Sequence, residues 1–133
     1  MREKVSTSAA PAPIGPYSQA VLANGFIFAS GQIPLDPATQ RIVPGGIAEQ
    51  TEQALQNVVN ILQAAGTNIA NIVRCVVYLQ DMSDFAAMNQ AYARFFGVDP
   101  PARTTIAVSG LPQGALIEIE VTAAIPLPAS SRG

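Results

Sequence analysis

Residues 115–125 read ALIEIEVTAAI, and the alternation of this stretch decides the fold class. Successive side chains of a strand point to opposite faces of its sheet. The apolar set is Ile117, Ile119, Val121 and Ala123, and the mixed set is Leu116, Glu118, Glu120 and Thr122. The stretch therefore predicts a long strand in a sheet with one core face and one face that is neither wholly core nor wholly solvent-exposed.

Working outward from this strand, hydrophobic periodicity and turn residues predict an α+β chain. The predicted elements are strands over residues 17–23 and 26–30, a helix over 47–65, a strand over 72–79, a helix from the cap Ser83 to 96, and strands over 102–108 and 115–125. Asn24 and Gly25 suit a type I′ hairpin between the first two strands. The uninterrupted apolar run at 72–79 is typical of a strand buried on both faces.

Two helices can cover only one face of such a sheet, with right-handed crossovers expected where a helix links parallel neighbours. Charged residues make up 12% of the chain, against roughly 25% in average globular proteins, and 49% of residues are hydrophobic. A monomer would lack the polar surface to cover itself. We therefore expect an oligomer in which sheet faces pack together and carboxylates lie in clefts between subunits.

The residue inventory excludes several kinds of chemistry. The chain has no histidine, which excludes a Ser-His-Asp triad, a Cys-His pair and an imidazole metal site. Its one lysine, Lys4, lies in a segment expected to be loose, which argues against a Schiff base with a cofactor. No glycine-rich nucleotide motif occurs. The sequence thus predicts neither a metal nor a cofactor.

Charge and hydropathy argue against nucleic acid and membrane as partners. The net charge is −2, and the basic residues are scattered rather than clustered. Polar residues interrupt the uncharged stretch 53–73, so it predicts no membrane span. The N-terminus lacks a signal-peptide pattern, and the single cysteine agrees with a reducing compartment. We expect a cytoplasmic protein.

A few polar groups remain as candidates for chemistry. Arg103 opens a β-branched run, and it can form either a structural salt bridge with glutamates of a neighbouring strand or a two-pronged contact with a substrate carboxylate. Cys75 is interpreted as a small core residue with no cation on its face. Arg74 and Tyr78, on the opposite face of the same strand, are interpreted as an interface pair.

Five motifs, in one order and spacing, resemble the Rid family of reactive-intermediate deaminases, also called YjgF-type or 2-iminobutanoate/2-iminopropanoate deaminases. They read APAPIGPYSQAV from Ala10, ASGQIPLDPATQ from Ala29, DFAAMNQAYARFF from Asp84, PPARTTI from Pro100 and IEIEVTAA from Ile117. The resemblance implies a chorismate-mutase-like (YjgF-type) mixed sheet with two helices packed on one face, assembled as a homotrimer. It also implies hydrolysis of short 2-imino acids or their enamines, such as 2-aminoacrylate and 2-aminocrotonate, to 2-keto acids and ammonia, without a metal or cofactor.

The resemblance also assigns site residues. Arg103 matches the arginine that binds the substrate carboxylate, and Glu118 matches the glutamate that activates or orients water. The other matching positions are Tyr17 as the aromatic pocket wall, Ser30 and Gly31 as its polar wall, Asn89 near the cleft, and Thr105, where many members have cysteine. Glu120, two residues beyond Glu118, is interpreted as structural or interfacial.

Two other functions stay open from the sequence. A non-enzymatic trimer that binds small carboxylates or regulates would need Arg103 but not Glu118, and an RNA-acting role, assigned to some relatives, conflicts with the low basic charge. The whole chain, 1–133, is expected to be one domain with loose ends at 1–12 and 127–133.

Overall fold

A six-stranded mixed sheet runs through the computed structural model, which describes residues 1–126. Its strands are β1 (Arg2–Val5), β2 (Ala20–Ala23), β3 (Phe26–Gln32), β6 (Ile72–Leu79), β7 (Ala102–Ala107) and β8 (Ile117–Ala124). Two short strands, β4 (Leu35–Asp36) and β5 (Arg41–Ile42), pair separately, and the helices are α1 (Ile47–Ala64) and α2 (Phe85–Phe96). The predicted α+β class and its two helices are confirmed.

The sheet order is β1-β2-β3-β8-β6-β7, with every pair antiparallel except β6 and β7. Strand β8 lies between β3 and β6, so only α2 links neighbouring parallel strands. Each helix was expected to link two neighbouring parallel strands. This expectation is wrong for α1, because β8 separates β3 from β6. The last strand takes the central place because its apolar face supplies the middle of the core.

Strand β8 alternates as predicted. Ile117, Ile119, Val121 and Ala123 are buried, and the side chains between them are half-buried. Helix α1 covers the buried face, where Leu55, Val58, Ile61 and Leu62 are fully buried. One layer of helices therefore encloses the core, and no element of the described part of the chain covers the other face of the sheet, which we call the open face.

Strand β6 has the predicted bounds, but the prediction that both of its faces are buried is wrong. Cys75, Val77 and Leu79 are buried, whereas Arg74 is exposed and Tyr78 is half-buried. The pairing with β8 is irregular between Ile72 and Arg74, and Val73, which lies between them, is exposed. The apolar run reflects an interior strand whose outer face is covered by no element within residues 1–126.

Residues 1–12 were expected to be a loose end. In the structure, this N-terminal segment is bound to the rest of the chain by strand pairing and by the side chain of one buried residue, Gln19. Strand β1 pairs antiparallel with β2. The Gln19 side chain donates to the carbonyl oxygens of Thr7, Ala10 and Pro11, at 3.0, 3.3 and 2.9 Å. These bonds satisfy a buried amide and hold the segment against the sheet. The expected loose end at 127–133 lies outside the described residues.

The predicted turns and helix ends are confirmed with one correction. Asn24 and Gly25 both have positive φ, 52° and 79°, as a type I′ hairpin requires. Helix α1 ends before Gly66, which has a φ of 88°. Ser83 is not the cap of the second helix: it lies in a single 3₁₀ turn, where its N–H donates to Asp81 Oδ1 at 2.9 Å.

No helix within residues 1–126 is long and apolar enough to cross a bilayer.

Candidate active site

The candidate residues fall into two groups on opposite faces of the sheet. Arg103 is aligned with Cys75 in the β6–β7 pairing and therefore lies on the face that the helices cover. Glu118 is aligned with Tyr78 in the β6–β8 pairing and lies on the open face. One chain consequently keeps its arginine and its candidate water-orienting carboxylate apart. We call the two groups the arginine group and the glutamate group.

The arginine group is Arg103, Thr105, Asn89 and the aromatic side chains next to them. The Arg103 guanidinium carbon lies over the rings of Tyr92 and Phe85, 4.7 and 5.7 Å from their centroids. Both rings come from α2, where their spacing of seven residues puts them on one helix face. The sequence alone assigned neither ring to the candidate site, and their helical spacing was the one signal that could have placed both beside Arg103.

Arg103 forms no salt bridge within residues 1–126, where the one pair within 4.0 Å joins Arg94 to Glu52. Among the described strands, β7 pairs with β6 alone, so no glutamate-bearing strand of residues 1–126 lies beside it. Glu118 and Glu120 both point to the other face of the sheet. This geometry removes the structural salt bridge that the sequence left open for Arg103.

Two further members of the arginine group have buried polar atoms without a partner. Thr105 Oγ1 and Asn89 Oδ1 are inaccessible to solvent and find no hydrogen bond among the described residues. Thr105 lies two residues beyond Arg103, on the same face of β7. Unsatisfied buried oxygens are unfavourable, and a bound water or ligand commonly satisfies them.

The Cys75 thiol lies in the core beside this group. Burial is the main cause that raises its pKa, and contact with Tyr92 and the charge of Arg103 oppose the shift. The expectation that no cation lies on the Cys75 face is wrong, because the pairing of β7 with β6 puts Arg103 there. The raised pKa keeps the buried sulfur as a neutral thiol, in agreement with a core residue.

The glutamate group lines a cleft of about 410 Å³ on the open face. Its members include Tyr17, Ser30, Gly31 and Glu118, together with Ile14 and Pro112, which sequence analysis did not single out. Strand β3 departs from regular pairing with β8 between Ala29 and Gln32, which is a common way to open a strand next to a site.

Gly31 gives the Glu118 side chain its place in this cleft. A Cβ on Gly31 would lie 2.8 Å from Glu118 Cδ and 3.0 Å from its Cγ. The Ser30 hydroxyl donates to the Ser18 carbonyl oxygen at 2.6 Å, and the Tyr17 hydroxyl accepts from the Ile14 N–H at 3.2 Å. The cleft wall is thus held by the chain's own hydrogen bonds, and Glu118 rests on bare backbone.

Two causes raise the pKa of Glu118: burial is the larger, and the charge of Glu120 is the smaller. Glu120 is engaged differently, because Tyr78 donates its hydroxyl hydrogen to Glu120 Oε1. That hydrogen bond is the main cause that raises the pKa of Tyr78 to about 12. Glu118 is therefore the carboxylate of the pair that is free to accept a proton, whereas Glu120 has a partner.

The family profile described as endoribonuclease L-PSP matches residues 7–125. The chain belongs to the Rid family. A RutC family protein of Pyrococcus horikoshii is 52% identical over 92% of this chain and 98% of its own length. The 2-iminobutanoate/2-iminopropanoate deaminase of Rattus norvegicus is 48% identical, over 92% of this chain and 90% of its own.

Solved Rid structures have the same fold. The Rid family protein YyfA from Yersinia pestis matches with a TM-score of 0.91 at 42% identity, covering 94% of this chain and all of that one. For this Rid chain, the geometry brings Tyr17, Ser30, Gly31 and Glu118 together. It places Arg103 and Thr105 on the other face, next to the helix that carries Asn89.

Proposed function

We propose that this chain hydrolyses short 2-imino acids and their enamine tautomers to 2-keto acids and ammonia, without a metal or cofactor. The observation that carries the proposal is the half-buried Arg103, stacked on two aromatic rings with no carboxylate partner in the described part of the chain. A guanidinium in that state is a ready receptor for a small carboxylate.

The active site forms between two copies of the chain. The arginine group of one subunit meets the glutamate group of the next, since one chain holds the two on opposite faces of its sheet. The open face carries exposed apolar side chains, among them Phe26, Phe28 and Ile106. Packing these faces around a three-fold axis would bury that surface and create three equivalent sites, the homotrimer that the Rid resemblance implies.

The reaction needs few groups, because an imine carbon is already electrophilic. Arg103 binds the substrate carboxylate, and backbone groups near Thr105 hold the substrate nitrogen. Glu118 takes a proton from a water as its oxygen bonds to the imine carbon, and the proton passes to the nitrogen. The resulting carbinolamine loses ammonia to leave the keto acid. A glutamate with a raised pKa is better matched to this proton transfer than an ordinary one.

Relatives support the reaction class. The rat protein is named a 2-iminobutanoate/2-iminopropanoate deaminase, and we extend that activity to this chain on 48% identity. We also propose a cytoplasmic location, where a single unpaired thiol stays reduced.

A non-enzymatic carboxylate-binding trimer is the second candidate, since Arg103 alone would bind a keto acid. RNA cleavage, which the description of the family profile names, has less support: the net charge is −2 and the chain has no histidine. Absence of turnover with keto-acid binding intact would favour the binding role. A salt-dependent shift of mixed RNA would favour the RNA role.

The test is imine hydrolysis by the purified protein. A threonine dehydratase generates 2-iminobutanoate in situ, semicarbazide competes for it, and keto-acid formation is followed with wild type, Arg103→Ala and Arg103→Lys. We expect acceleration by wild type and a large loss in both variants, because an ammonium cannot reproduce the two parallel bonds. Arg94→Ala, which removes a surface arginine paired with Glu52, is the matched control. Equal activity of Arg103→Ala and wild type would contradict the proposal.

A further inference from the structure

The support beneath Arg103 is an aromatic clamp made by one face of α2. Tyr92 contributes the nearer ring, at 4.7 Å from the guanidinium carbon, and Phe85 contributes the farther one, at 5.7 Å. The two rings differ in accessibility: Tyr92 is 5% exposed, whereas Phe85 is 39% exposed. Arg103 therefore has a buried ring on its inner side and an accessible ring toward solvent.

The clamp holds the cation without using its hydrogen bonds. A cation–π contact acts through the face of the aromatic ring and needs none of the guanidinium N–H donors. Those donors stay available for a carboxylate, which accepts them in the plane of the guanidinium. A salt bridge to a protein carboxylate would fix Arg103 equally well, but it would occupy the same donors.

Tyr92 is itself held on several sides. The ring centroids of Phe96 and Tyr92 are 4.5 Å apart, and the Cys75 thiol lies beside the Tyr92 hydroxyl. Burial is the main cause that raises the pKa of Tyr92, so its phenol stays neutral, and its hydroxyl finds no hydrogen-bond partner among the described residues. The ring is therefore a fixed, uncharged support.

We infer that Tyr92 and Phe85 are positioning residues: they hold the Arg103 guanidinium in one orientation with its donors free, and so set the affinity for the carboxylate of the ligand. The inference rests on the proposed function, because it takes Arg103 to be the carboxylate receptor. It predicts that the rings matter for charged ligands and have little influence on uncharged analogues.

The experiment measures binding rather than turnover, which separates this inference from the catalytic proposal. Calorimetry or ligand-observed NMR gives the affinity for 2-oxobutanoate and for its uncharged amide, 2-oxobutanamide. The variants are Tyr92→Leu, which removes the ring, Tyr92→Phe, which keeps it, and Phe85→Leu at the accessible side. Phe95→Leu is the matched control, since Phe95 lies on the same helix and makes no cation–π contact with Arg103.

We expect Tyr92→Leu to weaken 2-oxobutanoate binding about tenfold while amide binding stays within twofold or so, as loss of a partly desolvated cation–π contact implies. Phe85→Leu should act in the same direction with a smaller loss, because its ring is farther away and more solvated. Tyr92→Phe and Phe95→Leu should bind like wild type.

Three results would overturn the inference. Equal losses for the carboxylate and the amide would mean a structural role, and equal losses in Tyr92→Phe and Tyr92→Leu would assign the effect to the hydroxyl. Unchanged carboxylate binding in folded Phe85→Leu and Tyr92→Leu would show that neither ring influences the affinity for the carboxylate. If Tyr92→Leu does not fold, Phe85→Leu decides by the same criteria. Wild type that binds 2-oxobutanoate but does not hydrolyse imines would defeat only the catalytic proposal.

Discussion

At the scale of single residues, Glu118 and Glu120 carry the same charge but differ in their partners. Tyr78 donates a hydrogen bond to Glu120, whereas Glu118 lies against the backbone of Gly31. Burial and the neighbouring charge both raise the pKa of Glu118. This difference agrees with the assignment of Glu118, rather than Glu120, to the water.

The raised pKa of Glu118 predicts the acid side of the pH profile. Hydrolysis needs the ionised carboxylate, so kcat/KM, which reports the free enzyme, should fall as the pH drops through a pKa above the usual glutamate range. Glu120→Gln removes the like charge and should move this limb to lower pH, while Glu52→Gln on the outer helix face should leave it in place. An unmoved limb in Glu120→Gln would show that the Glu120 charge does not contribute to the raised pKa. Lost turnover in Glu120→Gln with activity kept in Glu118→Gln would reverse the two roles.

Substitution of Gly31 by alanine should lower activity while the protein still folds. In Gly31→Ala the new Cβ would meet the end of the flexible Glu118 side chain, so the carboxylate should shift while the backbone stays. A catalytic group that is misplaced by about 1 Å can lower the reaction rate about a hundredfold, so we expect a loss of turnover of that order. Steady-state kinetics and thermal unfolding are the measurements.

The control for this change is Gly110→Ala, where an added Cβ would have no atom within 4 Å among residues 1–126, apart from those of residue 110 and its two chain neighbours. It should keep both activity and stability. A Gly31→Ala protein with wild-type turnover would show that the close approach of Glu118 to the backbone is not required.

At the scale of elements, the alternation in β8, the Asn24–Gly25 hairpin and α1 with Gly66 could be predicted because periodicity and turn conformation are local properties. The burial of β6 and the order of the N-terminal segment could not, because both depend on which distant element covers a surface. A continuous apolar run indicates burial somewhere, but it does not say whether the same chain or another copy provides it.

Substitutions in the buried face of α1 should lower the stability of the protein. Leu55 is fully buried against the sheet, so Leu55→Ala should lower the free energy of unfolding by about 2 to 5 kcal/mol. Gln56→Ala, one residue on and exposed, should stay within about 0.5 kcal/mol of wild type. Chemical denaturation at one fixed protomer concentration is the measurement. Equal effects of the two changes would contradict the placement of the α1 core face.

At the scale of the whole molecule, the Rid resemblance assigned the candidate site residues one by one, but it did not give their arrangement. Spacing along the chain does not say that Arg103 and Glu118 point to opposite faces, which follows from the pairing of β7 with β6 and of β6 with β8. The aromatic support from Phe85 and Tyr92 was missed for a related reason. Apolar spacing on a helix has the same pattern whether the face packs against a core or against a cation.

The most direct measurement is subunit complementation between Arg103→Ala and Glu118→Gln, each inactive alone. The two proteins are unfolded together, refolded at equal concentration and assayed for 2-iminobutanoate hydrolysis beside each variant refolded alone. If each site takes Arg103 from one copy and Glu118 from its neighbour, random mixing in a closed ring restores roughly a quarter of the sites. Recovery near that fraction is the predicted result, and a mixture of well-folded, exchanged oligomers with no activity would contradict the shared site.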